Sequence, residues 1–306
     1  VGHIIQGLVR CFNLLQRMYM TINSDTKFLI VGLGLIGGSY CLGLRKQGYR
    51  VSAIARRKET IDYALTHGII DEGSISADAR LIGEADIIIS GLYPHTFYEW
   101  VSENQKLFKS GALLTDVTGV KGCIVYKIQE ILREDVEFIS AHPMAGKETV
   151  GVENADEKIF VGANYIIVPT EKNSEEAVNA SRELATILNF GHISCLSPKE
   201  HDEIIGFVSQ LTHCIAVSLM NVSDNDKLVN YVGDSFRDLT RIAKINENMW
   251  TELFISNKNA LVNNIDRFMN ELKDLRDCID TEDADRIKQK MICSTKRRSL
   301  FDKKQE

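Results

Sequence analysis

Residues 27–39, KFLIVGLGLIGGS, constrain this chain more than any other stretch. An unbroken apolar run that stops at glycine is how a strand buried on both faces of a parallel sheet reads. The following LGLIGGSYCLGLRKQGY has helical spacing and closes on Gly48, a plausible stop. Gly32, Gly34 and Gly37 fall between strand and helix in a GxGxxG arrangement. The first glycine permits a tight turn, the second lets backbone approach a pyrophosphate, and the third allows close helix–sheet packing. The helix that begins at Leu35 and Ile36 offers unpaired N–H groups and a positive dipole end to phosphate. Alone the motif is a weak signal, since a glycine turn can be purely structural. Placed in a first βαβ unit it predicts dinucleotide binding.

The rest of the first half repeats that alternation. RVSAIA, ADIIIS, ALLTDV, VEFISA and ANYIIVPT read as strands two to six, with helical patterns between most of them. The expectation is an α/β fold, a Rossmann-type doubly wound parallel sheet over residues 25–196. After Pro198 strand signals vanish. KEHDEIIGFVSQLTHCIAVSLMNV reads as one long helix with a buried face. Leu261, Ile265, Phe268, Leu272, Leu275 and Ile279 then make a seam-like stripe that suits an intrachain core and a subunit interface equally. Residues 197–306 are therefore expected to form an all-helical substrate and dimerisation domain. DTEDAD, at 280–285, reads as a loop and helix start, and Lys296–Arg298 as a solvated helix end.

A chain of 306 residues accommodates two domains, and its 36 basic against 42 acidic residues leave no basic surplus for nucleic acid. Its seven cysteines are scattered, the closest pair being fifteen positions apart, so no metal site or disulfide framework is expected. Reduced thiols fit a cytoplasmic setting. No apolar run is expected to approach the ~20 residues a membrane span needs. Residues 1–24 are set apart as an N-terminal extension, with Met18 or Met20 as a candidate start and a weak amphipathic helix as the alternative.

Cofactor choice is read at the end of the second strand. A carboxylate for a ribose 2′-hydroxyl is normal there in an NAD site, but this chain has Ala55, Arg56 and Arg57. Two guanidinium groups suit a 2′-phosphate, which favours NADP. Two solvated arginines beside a permissive NAD site remain the alternative.

GLGLIGGS, DVTGVK, HPMAGKETVG, SQLTH and FRDLTRIA…NMW occur in this order, and with them the chain resembles the prephenate/arogenate dehydrogenase family of tyrosine biosynthesis over roughly residues 27–275. The resemblance implies oxidative decarboxylation of prephenate to 4-hydroxyphenylpyruvate, with hydride passing to NAD(P)⁺, by a homodimer built through its helical half. It makes His142 the acceptor of the 4-hydroxyl proton, a task suited to imidazole. It makes Arg241 the anchor of a substrate carboxylate and puts His213 and Ser209, four apart on one helix face, near the substrate side chain. Asp202 and Trp250 match positions reaching a neighbouring subunit's site, and Glu148 a carboxylate at the pocket mouth.

In two places the chain departs from the family pattern. Gly119 stands where many members carry serine, so Thr118 or a water would have to substitute. Lys147 replaces a common threonine, and its charge disfavours an ammonium on the substrate. Prephenate is thus expected ahead of arogenate, the alternative substrate. A non-catalytic dinucleotide-sensing protein of the same fold is the reading from another class, and Gly119 is its one support. The trio His142, Arg241 and His213 argues against it, because a binding module needs none of them. An unrelated hydroxyacid or imine reductase is disfavoured by the lack of a catalytic lysine motif.

Overall fold

The computed structural model describes residues 22–147 and 149–302 of the 306. The extension up to residue 21 and Glu148 lie outside the described residues. Eight strands form one sheet: β1 (Lys27–Val31), β2 (Arg50–Ile54), β3 (Glu72–Ser74), β4 (Ile87–Ser90), β5 (Leu113–Asp116), β6 (Glu137–Met144), β7 (Asn164–Val168) and β8 (His192–Cys195). Their order is β3-β2-β1-β4-β5-β6-β7-β8, so chain direction across the sheet reverses between β1 and β4. That reversal opens a crevice at the carboxyl ends of the strands.

Side-chain alternation along β1 explains why helices cover both faces. Phe28 and Ile30 enter one apolar layer, with Tyr40, Cys41 and Leu44 of α1 (Leu35–Lys46), Ile61 and Ala64 of α2 (Lys58–Thr66), and Leu184 of α6 (Glu175–Ile187). Leu29 and Val31 enter the other, with Leu81 and Ile82 of α3 (Ala79–Glu84), Phe97 and Val101 of α4 (Pro94–Asn104), and Val125 and Ile128 of α5 (Val125–Ile131). Ile22 already belongs to the first layer, at 5% exposure.

All six expected strands are present, and the sheet is mostly parallel. Two short strands, β3 and β8, were not anticipated, and β7 runs antiparallel to β6. The connection from residue 145 to 163 explains that reversal. Among its described residues the helical elements are two short 3₁₀ turns, Val152–Asn154 and Glu157–Phe160, and antiparallel strands need no crossover helix. The segment lies against α1, where a Cβ on Gly38 would come within 2.7 Å of Ala155 Cβ.

The second half is helical. Ser197 starts it with a capping box, its hydroxyl bonding Glu200 N and the Glu200 carboxylate bonding Ser197 N, while Pro198 occupies the first turn. The helix runs from α7 (Pro198–Ile205) through a π turn (Gly206–Leu211) into α8 (Thr212–Asn221). Among the described residues, Pro198–Asn221 is the one helix long and apolar enough to cross a membrane, with a mean hydropathy of 1.4 over its best window. Its length and apolar composition correct the expectation that no run approaches the length of a membrane span. It buries hydrogen-bonded His201 and Gln210 within this chain. Then follow α9 (Asp234–Thr240), α10 (Glu247–Ser256), α11 (Lys258–Asp280) and α12 (Ala284–Arg298), whose last turn carries Lys296–Arg298. Gly206 allows α11 to approach closely: a Cβ there would lie 3.1 Å from Asn264 Nδ2.

Candidate active site

The glycine loop has the geometry its sequence implies. Gly32 adopts φ +98°, where only glycine is unstrained, and a Cβ on Gly37 would sit 2.1 Å from the Gly32 carbonyl oxygen. Gly34, the residue preceding α1, faces open space: nothing lies within 4 Å of the position a Cβ would take. No side chain caps α1, and its first turn carries no acidic residue. Leu35 and Ile36 open the helix, so their N–H groups stand at its uncapped end. These features make a cradle for a dinucleotide's phosphates. Arg56 and Arg57 are exposed just beyond β2, with Arg57 heading α2.

Along the crevice, β5 ends in Asp116, which is fully buried and ion-paired with equally buried Lys121 at 2.9 Å. Lys121 Nζ also donates to the Ala141 carbonyl at 2.6 Å. The other Asp116 oxygen accepts from Ser140 Oγ at 2.5 Å and Ala141 N at 3.3 Å. Both charges therefore have hydrogen-bonded partners, which a buried pair requires. Burial pulls the Lys121 ammonium below its ordinary pKa, and Asp116 opposes that pull. The network ties the loop after β5 to the end of β6, and the residue after Ala141 is His142.

Thr118 belongs to this network. Its hydroxyl bonds the Asp116 carboxylate and the Val120 carbonyl, and the residue is 4% exposed. In this structure its hydroxyl is thus engaged within its own loop. Gly119 is half-buried and adjoins the His142 ring. A Cβ there would lie 3.8 Å from His142 Nε2 and 3.6 Å from Leu253 of α10.

His142 is held from the helical side as well. Its Nδ1 lies 2.8 Å from His201 Nε2, and His201 Nδ1 lies 2.8 Å from Asp202 Oδ1. Asp202 also accepts Lys121 N at 2.9 Å and Gly122 N at 2.7 Å. Its oxygens are thus engaged within its own chain. Asn257 holds the Asp202 carbonyl and Gln210 Oε1, each at 2.8 Å. Burial, then His201, then Lys121 push the His142 pKa well below 6.5, so the ring is a neutral base at neutral pH.

The π turn and α10 place the other expected residues. The His213 ring stacks on Trp250 with centroids 3.7 Å apart, and His213 Nδ1 bonds the Ser209 carbonyl at 2.9 Å. Arg241 starts a short 3₁₀ turn that packs against α8, the helix carrying His213. Lys147 pairs with Asp156 at 2.9 Å. That pairing offsets its charge and weakens the argument that it repels an ammonium. His201, Asp116 and Lys121 were not singled out from sequence. The signals were DVTGVK and SPKEHD, where a capping box fixes the turn that carries His201 and Asp202.

Two family models match the chain: "Prephenate dehydrogenase, nucleotide-binding domain" over residues 40–189 and "Prephenate dehydrogenase, dimerization domain" over 197–292. The prephenate dehydrogenase of Lactococcus lactis subsp. cremoris is 34% identical over 269 residues, covering 85% of this chain and 73% of that one. That of Bacillus subtilis is 30% identical over 266 residues, covering 85% and 71%. The crystal structure of prephenate dehydrogenase from A. aeolicus with hydroxyphenyl propionate and NAD+ superposes with a TM-score of 0.84 at 29% identity, covering 92% of this chain and all of that one.

Proposed function

Since this chain belongs to the prephenate dehydrogenase family, we propose that it oxidatively decarboxylates prephenate to 4-hydroxyphenylpyruvate with a nicotinamide dinucleotide. One observation carries the reading: a neutral, buried-side imidazole, His142, faces Gly119 in the crevice that continues from the glycine loop. From β1 to β6 the crevice crosses three strand spacings, about 14 Å.

Gly32, Gly34, Gly37 and the Leu35–Ile36 end of α1 hold the dinucleotide phosphates, and the nicotinamide when bound accepts the hydride. His142 Nε2 takes the hydroxyl proton of the ring carbon that gives up that hydride. The C–C bond to the ring carboxylate then breaks, its electrons aromatise the ring, and carbon dioxide leaves. Arg241 grips a substrate carboxylate through its planar fork, while His213, stacked on Trp250, and the π turn at Ser209 border the side chain. Arg56 and Arg57 favour NADP over NAD. Residues 25–196 form the dinucleotide-binding domain and 197–306 the substrate and dimerisation domain of a cytoplasmic homodimer.

The test is a parallel assay of prephenate and arogenate with NAD and NADP, on the full chain and on His142→Asn. Prephenate with NADP is expected to give the highest kcat/KM. The variant should lose about 10²–10⁴-fold in kcat and keep its cofactor affinity. Full activity in His142→Asn, or turnover of arogenate alone, would overturn the assignment.

A further inference from the structure

The hydrogen-bond chain behind His142 has a direction, set at its far end. Asp202 is met by three N–H groups, those of Lys121, Gly122 and His201 Nδ1. A carboxylate so placed acts only as acceptor, so the proton on the His201 ring belongs to Nδ1. Burial, together with the Lys121 ammonium, keeps His201 from taking a second proton, although Asp202 opposes this. His201 Nε2 therefore presents a lone pair to His142 Nδ1, 2.8 Å away. The lone pair fixes the His142 proton on Nδ1 and leaves Nε2 bare. Bare Nε2 lies on the side facing Gly119, where the hydroxyl proton must be received.

We propose that His201 is a positioning residue: relaying the Asp202 carboxylate, it holds His142 in the tautomer whose Nε2 is the base. This deepens the assignment of His142 and rests on it. The arrangement also handles the charge created in the reaction. When His142 gains a proton at Nε2, its Nδ1–H bond to His201 Nε2 tightens, and the positive charge is drawn toward Asp202. The groups around the imidazole are His201 and Asp202 from α7, and Asp116 and Lys121 from β5 and its loop. Asp202 supplies negative charge on the His201 side, opposite the open edge at Gly119.

Two substitutions separate positioning from bulk. Glutamine at 201 brings a carbonyl oxygen to the place of Nε2 and can still accept from His142. Asparagine reaches only the place of Nδ1 and leaves His142 Nδ1 without its acceptor. His201→Asn should lower kcat about 10²-fold, His201→Gln should stay within about tenfold of the unsubstituted chain, and KM and cofactor affinity should hold within about twofold in both. Full kcat in His201→Asn, equal loss in both variants, or a loss confined to KM would each overturn the proposal.

A second readout needs no buried substitution. The unsubstituted chain is labelled with ¹⁵N-histidine, and the His142 signals are assigned by their loss in His142→Asn. A protonated Nδ1 and a bare Nε2 are expected; an Nε2–H tautomer would refute the relay even if the asparagine variant failed to fold. Should the chain turn over neither prephenate nor arogenate, the functional reading fails, and the tautomer still decides the role of His201.

Discussion

The two halves of this chain treat their apolar residues in opposite ways. Between Lys27 and Cys195, aromatic and branched side chains disappear into two layers against the sheet, and Phe28, Phe97, Phe138 and Tyr165 are essentially sealed from water. Past Val222, the buried residues among those described are Asn257, Leu261, Asn264 and Cys278. Helices α11 and α12 expose Val262, Met269, Leu272, Ile279, Met291 and Ile292, and exposed ion pairs such as Arg286–Asp274 join them. Exposed pairs of that kind contribute little. One half completes its core within the chain, while the other leaves several large apolar side chains exposed along α11 and α12. The stability of the site should therefore come from the sheet side and its assembly from the helical side.

The strongest test of that division is Lys121→Met. It leaves the Asp116 carboxylate buried without its cation, at a cost of about 3–5 kcal/mol. Leu272→Ala, in the helical half, should change the stability of the dilute protein by no more than about 0.5 kcal/mol. Urea unfolding at fixed pH measures both, and similar midpoints would break the comparison.

Leu272→Glu comes next in size. Sedimentation equilibrium should show the dimer weakened by about tenfold to a hundredfold, equivalent to about 1.4–2.8 kcal/mol. The melting temperature of the unsubstituted chain should rise with its concentration, as it does when partners bind the native state. Unchanged association in the variant would remove the α11 stripe from the interface.

Much of the sheet half is legible because a buried strand announces itself: KFLIV, DIIIS and NYIIV have no alternative use for so many consecutive apolar residues. Strands β3 and β8 are unannounced, since EGS and HISC are short and carry no apolar run. The reversal at β7 depends on a connection that lacks a helix, and no residue within β7 encodes it. At the site, His142 could be placed from its motif and from its position after a strand. His201 could not, because nothing local links it to a partner 59 residues away. Lys121 reads as an ordinary solvated lysine, and only the fold shows it sealed between Asp116 and the Ala141 carbonyl. The seam in α11 left core and interface equally open. Exposure of Leu272 and Ile279 within the chain now favours the interface.

A smaller effect tests the seam between the halves by pH. His142 and His201 both have pKa values lowered from 6.5 by burial, so the unfolded chain binds more protons than the native one below that pH. Stability from keeping them neutral is present above pH 6.5 and is lost as pH falls below it, by up to about 1.4 kcal/mol per unit for each ring. The urea midpoint should fall between pH 6.5 and 5, and His142→Asn should flatten that fall. An acid limb of kcat/KM lying well below 6.5 would accompany it. A limb at or above 6.5 would contradict the burial of the base.

The smallest expected effect is at Gly119, where the halves meet between His142 of the sheet side and Leu253 of the helical side. A serine Cβ would find only ordinary contacts there, the nearest at 3.6 Å. Gly119 is not among the glycines with positive φ, so Gly119→Ser should change stability by less than about 1 kcal/mol. Its hydroxyl would lie beside His142 Nε2 and could bond the substrate hydroxyl. One neutral hydrogen bond contributes about 1 kcal/mol, so kcat/KM should rise by less than about tenfold. A fall of more than tenfold would show that the seam uses the absence of a side chain at this position, and that His142 works here through a contact the serine blocks.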